Sequence, residues 1–411
     1  HVACGALDAD AAGKYAEQFI AMAEDLPDDL LPPLSRGLAA LVAELRPEKA
    51  QQVVRTLLEM SRQDRPEQKG VIYKSIESAL RSRPLSENSE YVTALTSLTF
   101  EEQLPRRSLY LQLLAQRLEV ADPQQRTDVM PLVVAELAAP ETSRSDASGL
   151  EYCARMVIPL LTDETKGKLA KTAGDKLVEL IESGALDESQ PRSTTERNAD
   201  FARFGRLLKV LVLCEGAIAP ATAQEVFTAT LPLLAKTLGE QPAKQIAVVA
   251  ADVDPADIAE LVDRTCEAAD NVETADKHRA VASLVIAAAG LPMQPGDASA
   301  DQLRQLLAGE ILRATNKSEL KVLEEAVVAL REKLSPEQAL AFQATLLQAI
   351  TERQQDRNVG LLQRALYATT GGLDEPAQQT AWSNLLTRTG KLDESPGRQV
   401  AAEGLRVATG L

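Results

Sequence analysis

Apolar residues recur at helical spacing along most of this chain. Tyr15, Phe19, Met22 and Ala23 share one face of a first helix predicted over 8–24. Leu34, Leu38, Leu41, Val42 and Leu45 line one side of the next run, and Val53, Val54, Leu57, Leu58 and Met60 one side of its successor. The scheme continues with Val71, Ile72, Ile76 and Leu80, then Tyr91, Leu95 and Leu98. Ser108–Leu118 reads as an amphipathic helix. Val129, Leu132, Val133 and Leu137 form the next face, with Pro131 inside it, which predicts a kink or a later helix start. A polar stretch, Pro140–Gly149, precedes Tyr152–Leu161, and a further helix begins at a cap placed on Asp163. The 18-residue segment Ser183–Asp200 has no apolar period and reads as a long surface loop, or else as a boundary between halves. The helical pattern resumes at Phe201–Cys214.

Punctuation between these runs is regular. In Leu330–Ile350 one helical run ends at Leu334, Ser335 can cap the next, Pro336 takes its first position and Glu337 its first turn. Similar restarts occur at Ile218–Glu225, Val253–Glu260, Gly296–Leu303, Leu373–Gln379 and Leu392–Gln399. Taking Asp122, Asp163, Ala219, Asp254, Ser299, Ser335 and Asp374 as equivalent gives steps of 41, 56, 35, 45, 36 and 39 residues, the longest holding the polar segment. A step near 40 accommodates two helices and two short turns. One such hairpin cannot bury its apolar face alone, and stacked hairpins can. The expectation is an all-α superhelix of about nine or ten hairpins over 1–411. If the polar stretch 183–200 is a boundary, 1–182 and 201–411 are its halves.

The paired amphipathic helices and the restarts at 334–339 ("LSPEQA") and 253–259 ("VDPADIA") resemble HEAT-like α-solenoids over roughly residues 30–400. The resemblance implies a concave surface for another macromolecule and no chemistry of its own.

Composition narrows the partner. Lysine and arginine total 44 against 60 aspartates and glutamates, a net charge of −16. Such a surface repels phosphate backbones and anionic lipid, so Arg106–Arg107 and Arg203/Arg206/Lys209 read as solvated faces. Aromatic residues make up 3% of the chain, too few for base-stacking platforms or an aromatic-lined catalytic cavity. The longest apolar stretch, Ala280–Met293, has 14 residues, short of the roughly 20 a membrane span needs. The Ala-rich, acidic composition suggests a bacterial source.

Cys4, Cys153, Cys214 and Cys266 form no C-x-x-C and no disulfide or zinc spacing. A reducing, cytoplasmic setting is the expectation. The "HVACG" start, which resembles the end of a lipoprotein signal, makes export or anchoring through Cys4 the alternative. The chain opens on His1 rather than Met, which suggests an upstream segment.

Candidate chemistry is thin. His278, in "ADKHRAV", is the one histidine besides His1 and reads as a surface residue near a helix start. Thr165–Thr172 and Arg388–Ser395 contain Gly-Lys without phosphate-loop spacing. Asp8, Asp10 and Gly13 sit at calcium-loop offsets, but Phe19 stands where a bidentate Glu is required. Asp252, Asp254 and Asp257 could hold a divalent ion or a diphosphate, although a helix cap with acidic first-turn residues explains them. No catalytic, cofactor or metal residue is therefore assigned. The expected function is non-enzymatic binding of a protein or peptide, with basic or mixed-charge partners favoured. A regulatory or sensor module of a larger protein is the alternative, and an α-toroid enzyme the remote one.

Overall fold

The computed structural model describes residues 8–352 apart from 24–29, 63–68, 83–87, 101–106, 141, 188–189, 191, 274–276 and 316, together with Thr369. The restarts at Leu373–Gln379 and Leu392–Gln399 lie outside the described residues. Among the described residues every regular element is helical. The α-helices are α1 (Ala9–Ala23), α2 (Leu31–Leu41), α3 (Pro47–Arg62), α4 (Lys69–Arg81), α5 (Asn88–Phe100), α6 (Arg107–Glu119), α7 (Pro123–Ala138), α8 (Arg144–Val157), α9 (Asp163–Glu182), α10 (Thr194–Leu213), α11 (Pro220–Lys236), α12 (Glu240–Ala250), α13 (Ile258–Asp270), α14 (Lys277–Ala288), α15 (Ala298–Arg313), α16 (Lys317–Leu330) and α17 (Pro336–Glu352).

Two compact units divide the chain, His1–Leu169 and Ala170–Leu411. The division falls inside α9, upstream of the polar segment 183–200.

Each unit is built the same way. Odd-numbered helices pack on odd, as α1 on α3, α3 on α5 and α5 on α7 in the first unit, and α11 on α13, α13 on α15 and α15 on α17 in the second. Even-numbered helices form the other layer, α2 on α4 and α6 on α8, then α10, α12, α14 and α16 in succession. Sequential helices close the hairpins between the layers. The restarts at Asp122, Asp163, Ala219, Asp254, Ser299 and Ser335 all fall at or near the start of an odd-numbered helix.

Local chemistry explains those starts. Asp122 accepts the Gln125 N–H (2.9 Å), and Asp254 the Ala256 N–H (2.9 Å). At α9 the cap is Thr162, whose Oγ1 accepts the Thr165 N–H (3.3 Å), so Asp163 is the first helical residue rather than the cap. Ser335 and Gln338 satisfy one another's backbone amides at 3.2 and 2.9 Å, a reciprocal capping box. Gln338 Nε2 also donates to the Asp297 carbonyl (3.1 Å), joining the starts of α15 and α17. Helix ends are served as well. Arg126 of α7 donates to the carbonyls of Leu118 (2.9 Å), Glu119 (3.2 Å), Ala121 (2.7 Å) and Leu160 (3.3 Å), filling acceptors left open where two even-numbered helices stop.

Several sequence expectations are revised by packing. On α1 the buried positions are Ala12 and Ala16, while Tyr15 and Met22 are about half exposed. α7 runs from Pro123 through Pro131 to Ala138, and Leu132 faces outward. α6 is amphipathic with a wide buried face, leaving Gln112 and Glu119 exposed. Tyr110, Leu111, Leu113, Leu114, Arg117 and Leu118 are all buried on that face, and the Arg117 guanidinium lies 5.5 Å from the Tyr91 ring centroid. α8 begins at Arg144, inside the stretch read as polar linker, with Ser143 capping it. α10 begins at Thr194, seven residues before the resumption at Phe201, behind a Ser193–Glu196 capping box. Its first two turns are polar on every side, so no apolar period marked them.

The even layer is closely packed. A Cβ on Gly149 of α8 would stand 2.9 Å from the Ser108 backbone of α6, and one on Gly290 would stand 2.0 Å from the Ala247 carbonyl oxygen. Only glycine permits either approach. Ala280–Ala288 of α14 are buried on all sides. Lys244 of α12 pairs with Glu240 and, at 2.7 Å, with Glu325 of α16. The helices flanking α14 therefore meet at an ion pair. No described helix is long and apolar enough to cross a membrane.

Candidate functional site

The odd layer of the second unit holds two depressions. A depression of about 580 Å³ lies between the C-terminal halves of α11 and α13, walled by Leu231, Pro232, Ala235, Ala268 and Val272. A second, of about 350 Å³, lies between Leu233 of α11 and Ile181 and Leu186, at the end of α9 and in the turn that follows. Pro232 and Lys236 line both and form the ridge between them.

Three local features make this surface. Gly184, with φ of 70°, ends α9 in the left-handed conformation that glycine allows, and the chain turns so that Ala185 and Leu186 bury. Pro232 sits inside α11 and supplies no N–H, so the Thr228 carbonyl has no α-helical donor four residues on. Thr228 lines the larger depression. α11 and α13 both end at this surface, at Lys236 and Asp270, and bring the negative ends of their helix dipoles to it.

The rim is charged. Glu267 and Glu273 border the larger depression, Asp187 the smaller, and the basic side chains are Lys236 and Arg264. Arg264 is engaged by Glu260 at 2.6 Å. The surface thus offers apolar floors and an edge of mixed charge. It is suited to binding; no bond-making group is assembled in it.

The residues weighed from the sequence lie elsewhere and serve packing. His278 is not on the surface. Its side chain is 15% exposed, with Nδ1 2.9 Å from Glu310 Oε2, though not aligned for a hydrogen bond, and Nε2 3.7 Å from Glu319 Oε2. Glu310 is buried and receives Arg313 at 2.6 Å. The cluster ties the start of α14 to α15 and α16. Asp252 accepts from the amides of Gly216 (3.0 Å) and Ile218 (3.4 Å), pinning the α10–α11 turn to the one after α12. Burial raises the Asp252 carboxyl above its ordinary range despite those two donors. With Asp254 capping, two of the three carboxylates of that segment are committed to backbone amides. Asp8 caps α1 through the Ala11 N–H (2.7 Å), and Asp10 pairs with Arg46 (2.8 Å). Arg107 donates to the Thr99 carbonyl (2.6 Å) and to Glu136 (3.0 Å). Arg206 is buried within α10. Thr165–Thr172 lie along α9 rather than in a loop. Burial pushes the Cys153 thiol up to about 12, as suits a small core residue and not a nucleophile. Burial first, and then Asp263 and Asp270, raise that of Cys266 to about 11. Cys4 and Arg388–Ser395 lie outside the described residues.

Nothing in the sequence marked the two depressions, because they arise where helices from different hairpins diverge. Pro232 was the available signal, a proline inside an otherwise helical run.

No protein-family model and no curated protein matches the sequence. Solved structures do match in fold. The karyopherin Kap121p, determined bound to the extreme C-terminus of the protein phosphatase Cdc14p, aligns with 96% of this chain at TM-score 0.61 and 10% identity; this chain spans 41% of that one. The N-terminus of TSC2 aligns with 96% of this chain and 100% of its own at TM-score 0.43 and 13% identity. The APUM23 deletion-of-insert-region–GGAAUUGACGG structure aligns with 98% of this chain and 86% of its own at TM-score 0.45 and 14% identity. At these identities the likeness concerns fold, and the karyopherin comparison carries it. Together with the two-layer stacking of hairpins, it identifies the chain as an all-α, HEAT-like helical-repeat solenoid.

Proposed function

We propose that this protein is a non-enzymatic scaffold that binds a protein or peptide segment, and that the paired depressions flanking α11 are its docking site. The observation that carries the reading is the pair of apolar-floored depressions on either side of the Pro232–Lys236 ridge. Among the described residues α14 is buried by its neighbours and offers no such surface, while the ridge of α11 is exposed. Sequence reasoning pointed to a concave face without choosing a helix of each pair; the open surface favours the odd-numbered ones. The net charge of −16 favours basic or mixed-charge partners over nucleic acid.

Selection of random peptides displayed on phage against the full chain tests the proposal. Enriched sequences are expected, and Ala268→Trp, which fills the larger depression from a half-buried position on α13, is expected to abolish the enrichment. Unchanged circular dichroism and melting of the variant establish that it folds. Absence of enrichment, or enrichment that a folded Ala268→Trp leaves intact, would overturn the site.

A further inference from the structure

α11 and α13 are held to each other at their starts and to a third helix at their ends. At the starts a single turn serves both. Asp252 accepts the amides of Gly216 (3.0 Å) and Ile218 (3.4 Å), just ahead of α11. Asp254, in the same turn, caps the chain on its way into α13 through the Ala256 N–H (2.9 Å). At the ends the anchor is α14, on which both helices pack. Ser283 donates to the Leu238 carbonyl (3.4 Å), just past α11, and Lys277 stands 3.8 Å from Asp270, the last residue of α13. These two anchors are six residues apart on α14, a rise of about 9 Å. Among the described residues the one ion pair of the depression's lining, Arg264 with Glu260, stays within α13 and does not bridge to α11. The larger depression lies between the ends spaced in this way.

Asp252 lines neither depression. The larger one begins at Thr228, eight residues into α11 and about 12 Å from its start. A residue so placed touches no occupant; it acts through where it puts two helices. The pin needs an acceptor oxygen facing two N–H groups and not a charge. Asparagine therefore meets the requirement and alanine does not.

We infer that Asp252 is a positioning residue for the docking site proposed above. It draws the starts of α11 and α13 together, so that their ends, spaced by α14, leave the depression preformed. The inference rests on the docking reading for its functional weight, and its geometry is measured without a ligand. Pulsed electron paramagnetic resonance on the full chain reads both ends of the helix pair. Spin labels go on exposed positions, Glu225 with Ala259 near the starts and Lys236 with Asn271 near the ends, in a background carrying Cys4→Ser and Cys266→Ser. Asp252→Ala is expected to lengthen and broaden the start-pair distance and to leave the end pair in place. Asp252→Asn is expected to match the wild type at both. Circular dichroism establishes that each variant is folded under the conditions used. A start pair that does not move in Asp252→Ala, or two pairs that broaden together as in general loosening, would overturn the inference. The functional arm uses a phage-selected peptide whose enrichment Ala268→Trp abolishes. Its affinity, by fluorescence anisotropy, is expected to fall at least about tenfold with Asp252→Ala, or about 1.4 kcal/mol, and to hold with Asp252→Asn. Such a peptide binding Asp252→Ala as tightly as the wild type sinks the positioning role alone. Absence of any groove-dependent peptide sinks the docking site and the role with it.

Discussion

Asp252 shows how a single residue can be misread as chemistry. In the sequence it stands in an acidic cluster; in the fold its carboxylate holds two turns together through the amides of Gly216 and Ile218. Burial outweighs those donors and raises its carboxyl above the ordinary range. The native state therefore holds this proton more tightly than the unfolded chain does. The stability tied to the group is full at low pH and is lost as pH rises through a window just above the usual aspartate range. Asp252→Asn keeps an oxygen for the two amides and removes the charge. In thermal melts it is expected to equal or exceed the wild type at pH 7, with the difference closing toward pH 4. Asp252→Ala strands both amides and should cost about 1–2 kcal/mol at either pH. Equal losses for Asn and Ala would contradict this account. The same contrast holds at His278, which looks like a surface residue from its charged neighbours in sequence. It is enclosed because Glu310 of α15 and Glu319 of α16 stand against its ring, and the sequence does not display such pairing.

At the scale of elements, helix starts were the legible part. Caps, first-turn prolines and acids act within four residues, so Asp122, Asp254 and Ser335 could be read directly. Thr162 displaced the expected cap at Asp163 by one position. Helix surroundings were less legible. α6 buries a charged Arg117 on a wide face, α14 is buried all round over Ala280–Ala288, and α10 opens with two polar turns; all three depend on what neighbouring hairpins cover. The start of α17 offers a direct test. Ser335→Ala removes one capping bond and should cost about 1 kcal/mol. Gln338→Ala removes both the reciprocal bond to Ser335 and the bond to Asp297, so it should cost more. Urea unfolding of both single variants and the double variant is expected to give a double-variant loss smaller than the sum, since the two residues share one motif. Strict additivity would show that the box does not act as a unit.

Across the whole molecule, periodicity disclosed the hairpin register and hence the odd layer. The close packing of the even layer emerged only from the fold, where glycines and alanines let even-numbered helices close in. That closure has a thermodynamic consequence. Repeat arrays usually couple each unit to its immediate neighbour, so they fray stepwise. The Lys244–Glu325 pair skips a hairpin, and α14 is enclosed by partners on both sides of it. α12, α14 and α16 should then open as one cooperative block, with amide hydrogen exchange at a common free energy above that of α11 and α13. Exchange of α14 ahead of α16 would refute it. Since α11 and α13 both pack on α14, such a block is a rigid backing for them, and a guest seated against α11 would press on the part of the chain that opens last.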